Sequence, residues 1–289
     1  MGSRVLCLVV AGLPACMDPP APSPEPPAAA VVGKATPVPA AGRTAAAPPA
    51  AADEAACPAD MVLVEGRFCP AADERCEKEE DPDYQRKPDV SERCLKFTEP
   101  TSCASTRRRL LRFCIDRYEW PNEKGELPQV LADFHDATDA CERVGKRLCD
   151  ENEWLFACEG QEMLPYVNGY IRDPAACVID RPYIQRPRRL ERWDACMASP
   201  ECKSDFERVD QRAPSGSFPR CVSPFGAFDM NGNVNEWVNV PGASYPHRAG
   251  LKGGWWGPVR NRCRPTVRFH DESDYGYEIG FRCCTDARP

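Results

Sequence analysis

The chain has 289 residues, 18 cysteines, 31 prolines and a formal net charge of −7. The acidic balance argues against a nucleic-acid partner, which calls for a basic excess, and no apolar run reaches the roughly 18 residues of a membrane-spanning helix. Sixteen of the cysteines fall in the 233 residues of Cys57–Pro289, a density that belongs to a disulfide framework built in an oxidising compartment.

Met1–Arg4 carries one positive charge, Val5–Leu13 is apolar, and Leu13-Pro-Ala-Cys16 closes the segment. That order of charged, apolar and small residues predicts a secretion signal over residues 1–16. Cys16 stands where a bacterial lipobox places its lipidated residue, with Pro14 a departure from the commonest pattern; secretion without a lipid is the alternative. Acyl chains contribute about 0.8 kcal/mol per buried CH₂, so they would hold the protein at a membrane without a spanning helix. Between Met17 and Ala56, 10 prolines and 15 alanines fill 25 of 40 positions. Such a stretch has little to bury and is expected to be a disordered, partly extended tether.

The folded part is predicted over 57–289. Met61–Phe68 reads as a strand, with Gly66 marking a bulge or bend. Residues 69–103 are polar and acidic and include Cys69, Cys76, Cys94 and Cys103. With little periodicity, they read as a disulfide-stapled loop insertion. Two helices follow. Asp136 is the expected cap of the first, with Asp139 in its first turn. Ala137, Ala140, Cys141 and Val144 are spaced along one apolar face, and Gly145 suits a left-handed end. Asp150 and Glu153 have capping-box spacing for the second helix. Its buried side is Trp154, Ala157 and Cys158, and Gly160 stops it.

Residues 181–192 hold five arginines and read as a solvated loop. Cys177, Cys196, Cys202 and Cys221 show none of the tight Cys-x-x-Cys pairs of a structural zinc site, so disulfides are expected. Asp229-Met-Asn-Gly-Asn-Val-Asn-Glu-Trp237 is dense in oxygen donors: Asp229, Asn231, Asn233, Asn235 and Glu236. It is either a site for a hard cation such as calcium or a tight Asn231-Gly232 turn between strands. The arginines at 260, 262, 264 and 268 either bind an anion or pair with the acidic run Asp271–Asp274; pairing is the favoured reading. The chain lacks the Gly-x-Ser-x-Gly elbow, the phosphate-cradling loop and the His-Glu-x-x-His motif. Its three histidines, His135, His247 and His270, are scattered along the sequence.

Six segments, taken in order, resemble the formylglycine-generating enzyme (sulfatase-modifying factor) family. They are Met61-Val-Leu-Val-Glu-Gly-Arg-Phe68, Ile115-Asp-Arg-Tyr-Glu-Trp-Pro121, Gly145-Lys-Arg-Leu-Cys-Asp-Glu-Asn-Glu-Trp154, Asp229–Trp237, Leu251-Lys-Gly-Gly-Trp-Trp256 and Gly280-Phe-Arg-Cys283. The resemblance implies an α+β fold related to C-type lectin-like domains, with little regular secondary structure. It implies a calcium ion held by the Asp229 and Glu236 side chains and the Gly232 and Val234 carbonyls. It further implies that Cys141 bonds Cys283. Cys158 would bond a cysteine in the arginine-rich strand. The equivalent position is Pro265, two residues from Cys263, so Cys158–Cys263 is the expected pair. Closing a loop of over 100 residues is worth roughly 4–5 kcal/mol in the chain-entropy model.

The departure from the family lies where the enzymes carry Cys-x4-Cys, whose thiolates hold copper(I). After Gly253-Gly254 this chain offers only Cys263. Copper is therefore not expected, and the chain reads as an exported, lipid-anchored, disulfide-rich module stabilised by calcium. It would sit in the cell envelope, in the periplasm or at the surface, touch the membrane only through its anchor, and bind a peptide, glycan or envelope protein. The alternatives are a divergent family oxidoreductase, or formylglycine formation at an unorthodox copper site built from Cys263 with Cys283 or Cys284.

Overall fold

A computed structural model describes residues 56–87, 91–191, 196 and 198–289. The signal segment 1–16, its Cys16 and the tether through residue 55 lie outside the described residues. Ala56, assigned to the tether, belongs to the domain instead: it is buried, and its carbonyl accepts the Arg288 amide at 2.9 Å.

In chain order the described residues form β1 (Met61–Phe68), β2 (Ala72–Asp73), β3 (Cys76–Glu79), β4 (Cys94–Phe97), β5 (Ser102–Cys103) and β6 (Arg109–Asp116). Then come α1 (Phe134–Arg143), β7 (Arg147–Leu148), α2 (Glu151–Glu159) and α3 (Pro200–Val209). The last are β8 (Asn235–Asn239), β9 (Ala249–Lys252), β10 (Ile279–Phe281) and β11 (Cys283–Asp286). No helix among the described residues is long and apolar enough to cross a membrane.

β1 and β6 pair antiparallel along their whole length, setting Val62 opposite Ile115 and Val64 opposite Phe113. These buried cross-strand pairs hold the register, because a one-residue slip would move every one of them to the other face of the sheet. Gly66 makes no bulge, since it stays in register opposite Leu111. Its φ of +151° is a conformation that L side chains rarely adopt, which is what favours glycine there. The larger sheet runs β1-β6-β11-β7, and a second sheet runs β10-β8-β9 with β10 parallel to β8. One short run, Ile279–Asp286, therefore serves both sheets, and Arg282 sits at the crossing between β10 and β11.

α1 begins three residues earlier than expected. Asp133 is its cap and Asp136 the third helical residue, each side chain reaching the other's backbone amide, at 2.7 and 3.4 Å. Two aspartates with the same capping ability stood in the sequence, and burying Phe134 selects the earlier one. Ala137, Ala140 and Cys141 face inward, whereas Val144 is past the helix and exposed. α2 starts at Asp150, whose amide donates to Glu153 at 2.9 Å, and stops at Gly160 with φ +67°. α3, absent from the sequence reading, opens on Ser199-Pro200, a side-chain cap followed by proline in the first turn.

All sixteen described cysteines are crosslinked: 57–114, 69–103, 76–94, 141–283, 149–284, 158–263, 177–221 and 196–202. Such a framework belongs to an exported protein. Residues 69–103 are not a plain loop. They form two small ribbons, β2 with β5 and β3 with β4, each crossed by one disulfide.

Candidate functional site

The Asp229–Trp237 segment runs into β8 from a loop rather than turning between two strands. Gly232 has φ +86°, and a Cβ there would sit 2.2 Å from the Val178 carbonyl oxygen. Asn231 and Asn233 hold the neighbouring chain, so their side chains serve the scaffold. Asn231 Oδ1 accepts from the Val167 amide at 2.8 Å, and Asn233 Oδ1 accepts from the Ala213 amide at 2.8 Å. The buried Cys158–Cys263 disulfide lies against this loop, with Asn231 Nδ2 3.5 Å from Cys158 Sγ.

Beneath the loop lies a cluster of four charged residues, all essentially inaccessible: Glu119, Asp229, Glu236 and Arg282. Arg282 grips Glu236 with two hydrogen bonds, Nε to Oε2 at 2.6 Å and Nη2 to Oε1 at 2.8 Å. Trp154 Nε1 adds a third to Oε2 at 2.7 Å. Asp229 Oδ2 accepts from the Gly216 amide at 2.6 Å. Glu119 accepts from Asn233 Nδ2 at 2.7 Å and Ser215 Oγ at 3.2 Å. Three carboxylates thus face one guanidinium in a water-excluded place. Burial, then the neighbouring Asp229 and Glu236 charges, push the Glu119 carboxyl well above its ordinary value. Burial lifts Asp229 to about 6.

Asp229 and Glu236 carry carboxylate oxygens and Gly232 and Val234 backbone carbonyls in this loop, the hard oxygen donors a divalent cation would take, while both Glu236 oxygens already accept from Arg282. The described residues contain no group of three or more His, Cys, Asp or Glu placed to hold a metal, so such an ion depends on the carbonyls. Glu119 and Arg282 were not among the sequence-derived site residues, although both lie in the segments that carried the resemblance.

The three sulfurs weighed as thiolates are all in disulfides and fully buried: Cys263 with Cys158, Cys283 with Cys141, Cys284 with Cys149. The paired arginines also differ from expectation. Arg262 pairs with Glu74 and Glu92, Arg264 with Glu159 and Arg268 with Glu151. None pairs with Asp271–Asp274. That run instead meets Arg248 and two histidines, His135 3.6 Å from Glu272 and His270 3.1 Å from Asp274. Behind the arginines lies Lys252, fully buried, donating to the Arg264 carbonyl at 2.9 Å and lying over the Trp154 ring. Burial lowers its amine to about 7 and raises the nearby Glu159 carboxyl to about 8.

Two disulfide-stapled sheets share the run Ile279–Asp286, with Arg282 at the crossing and a glycine-bearing loop entering β8. The chain belongs to the sulfatase-modifying factor enzyme 1-like domain family, whose model matches residues 76–287. That match begins inside the segment read as an insertion. The chain is similar to the inactive C-alpha-formylglycine-generating enzyme 2 of Bos taurus, with 29% identity over 177 residues covering 57% of this chain and 52% of that protein. The Mus musculus protein of the same name matches at 29% over 180 residues, covering 57% and 51%. The chain thus spans about half the length of the curated relatives it matches. The crystal structure of CarF shares the fold at a TM-score of 0.52 and 14% identity, covering 79% of this chain and 98% of that one.

Proposed function

We propose that this is an exported, non-catalytic binding module of the sulfatase-modifying factor family, anchored through a lipid on Cys16 and held off the membrane by a tether over residues 17–55. The observation that carries the reading is the sulfur pairing. Copper chemistry of the family type needs two free thiolates, and Cys263, Cys283 and Cys284 are each committed to a crosslink. The names of the matched mammalian relatives, marked inactive, agree with it. The partner would be a peptide, a glycan or another envelope protein. The deciding experiment supplies the purified protein with copper and a peptide containing Cys-x-Pro-x-Arg. No aldehyde-forming mass loss is expected, and native thiol titration should find none reactive in the domain. Turnover would overturn the reading in favour of an oxidoreductase.

Calcium belongs to the same reading, bound by Asp229, Gly232, Val234 and Glu236 as a stabiliser of the β8 loop. An ion at about 100 times its dissociation constant stabilises the folded state by about 2.7 kcal/mol. For a domain of this size that is a Tm shift of about 5–10 °C. Removing calcium with a chelator is expected to lower Tm by that amount, and re-addition to restore it. Equal melting with and without chelator would remove calcium from the account.

A further inference from the structure

We propose that the end of the β1–β6 pair around Leu110 rests on an anionic lipid bilayer; this depends on the lipid-anchored half of the proposed function and gives the domain a second membrane contact. Residues opposite each other across an antiparallel pair share a face. Arg67 and Leu110 therefore stand together, followed along the same face by Glu65 with Arg112 and Leu63 with Cys114. Leu110 is 73% exposed. Arg107, Arg108 and Arg109 run directly into it. Arg109 lies on the other side of the strand, over the Phe68 ring at 5.2 Å. Arg108 braces the strand end by donating to the Arg67 and Gln161 carbonyls at 3.1 Å each. Arg67, Arg107 and Arg109 are exposed, and none of the four arginines makes an ion pair among the described residues. Glu65 is taken by Arg112 at 3.2 Å. On a chain of net charge −7, this is a local surplus of positive charge, which fits a polyanionic surface. Attraction to such a plane acts over a screening length of about 8–10 Å, so arginines on both sides of the strand contribute.

Two further observations favour a bilayer over a soluble polyanion. An exposed leucine adds nothing to the recognition of a soluble polyanion, whereas basic residues around an apolar side chain are what a surface-lying element presents to lipid. The described chain also begins on the face that carries Leu110. Cys57 is bonded to Cys114, and Ala56 packs with that pair and with Met61. Cys114 is four residues, or about 13 Å of strand, from Leu110. Residues 17–55 are 39 in number and reach at most roughly 140 Å. An anchored domain is thereby confined to a layer in which weak attraction is enough. The tether limits how far the domain stands off, and the arginine-rich end decides how it rests when it comes down.

The test is sedimentation of the full, non-acylated chain with vesicles of phosphatidylglycerol and phosphatidylcholine, and with phosphatidylcholine alone, which reads whatever the leader contributes. Each arginine at a charged bilayer is worth about 1 kcal/mol, or about fivefold in partitioning. Arg67→Ala with Arg107→Ala should therefore weaken binding to the anionic vesicles about thirtyfold. Arg67→Lys with Arg107→Lys should bind like the wild type. Neither side chain makes a hydrogen bond or ion pair among the described residues, so melting should not change in either variant. Leu110→Ser should weaken binding severalfold and leave its salt dependence as it was, whereas the alanine pair should flatten that dependence. Equal binding to charged and neutral vesicles, or an alanine pair that binds like the wild type, would overturn the proposal. Binding of soluble polyphosphate without binding of vesicles would give the arginines to a soluble polyanion and overturn it too. A missing acyl mass at Cys16 would instead remove the anchor from the proposed function while the vesicle result stood, so the two failures read differently.

Discussion

Replacing Arg282 with alanine is expected to destabilise the domain by about 3–5 kcal/mol, the range for breaking one side of a buried ion pair. Arg282 and Glu236 both have side chains with no solvent exposure, and the guanidinium also donates to the Phe228 and Asp116 carbonyls, at 2.8 and 3.3 Å. Its loss would leave Glu119, Asp229 and Glu236 facing one another with no positive side chain among them. Because most domains are stable by only about 5–15 kcal/mol, the variant should lose much of its margin. Urea unfolding followed by tryptophan fluorescence would measure the change. A loss under about 1 kcal/mol would mean that the carboxylates are neutralised in some other way.

The second large effect concerns the Cys158–Cys263 crosslink. Taken alone it closes a 105-residue separation, worth about 4.7 kcal/mol in the chain-entropy model. It does not act alone, however, because Cys149–Cys284 encloses it. Through that outer bond the two sulfurs are already joined by nine residues back from Cys158 and twenty-one on from Cys263, about 30 in all. Logarithmic dependence on loop length then reduces the expected loss for the Cys158→Ser, Cys263→Ser double variant to about 3–4 kcal/mol. Removing Cys141–Cys283 should cost less, about 2–3 kcal/mol, since Cys149–Cys284 closes almost the same ring. Losing both outer bonds together should exceed the sum of their separate losses. Unfolding of the three variants without reductant tests the ordering; equal losses would argue that strain or packing, rather than chain entropy, sets these energies.

How much of this was legible in the sequence depended on distance along the chain. Both ends of α2 could be read because Asp150, Glu153 and Gly160 act within one turn of themselves. The start of α1 could not be fixed the same way, since Asp133 and Asp136 are equally good local caps and only the burial of Phe134 separates them. α3 carried a local signal in Ser199-Pro200, with Cys202, Phe206 and Val209 spaced behind it, but its ten residues include only two buried ones, Cys202 and Val209, so its apolar period is weak. Nearness in sequence points Arg260–Arg268 to Asp271–Asp274, but the fold brings other carboxylates to Arg262, Arg264 and Arg268. The true partners come from α2 and the 69–103 segment, over 100 residues upstream. Glu119 shows the same limit. Its polar neighbours Ser215 and Asn233 are 96 and 114 residues away, so nothing near Glu119 announces them.

The position of β11 has a consequence for how the chain matures. It is the last of the described strands in sequence, yet it lies inside the larger sheet, with β6 on one side and β7 on the other. Until residues 283–286 arrive, β6 presents a bare edge, the kind of template on which other chains can assemble. A ribosome-bound or partly exported intermediate would therefore remain open to wrong partners and to scrambled thiols. Protection by chaperones during export becomes part of the cost of this topology, and truncation just before Cys283 should leave a domain that aggregates where the full chain does not.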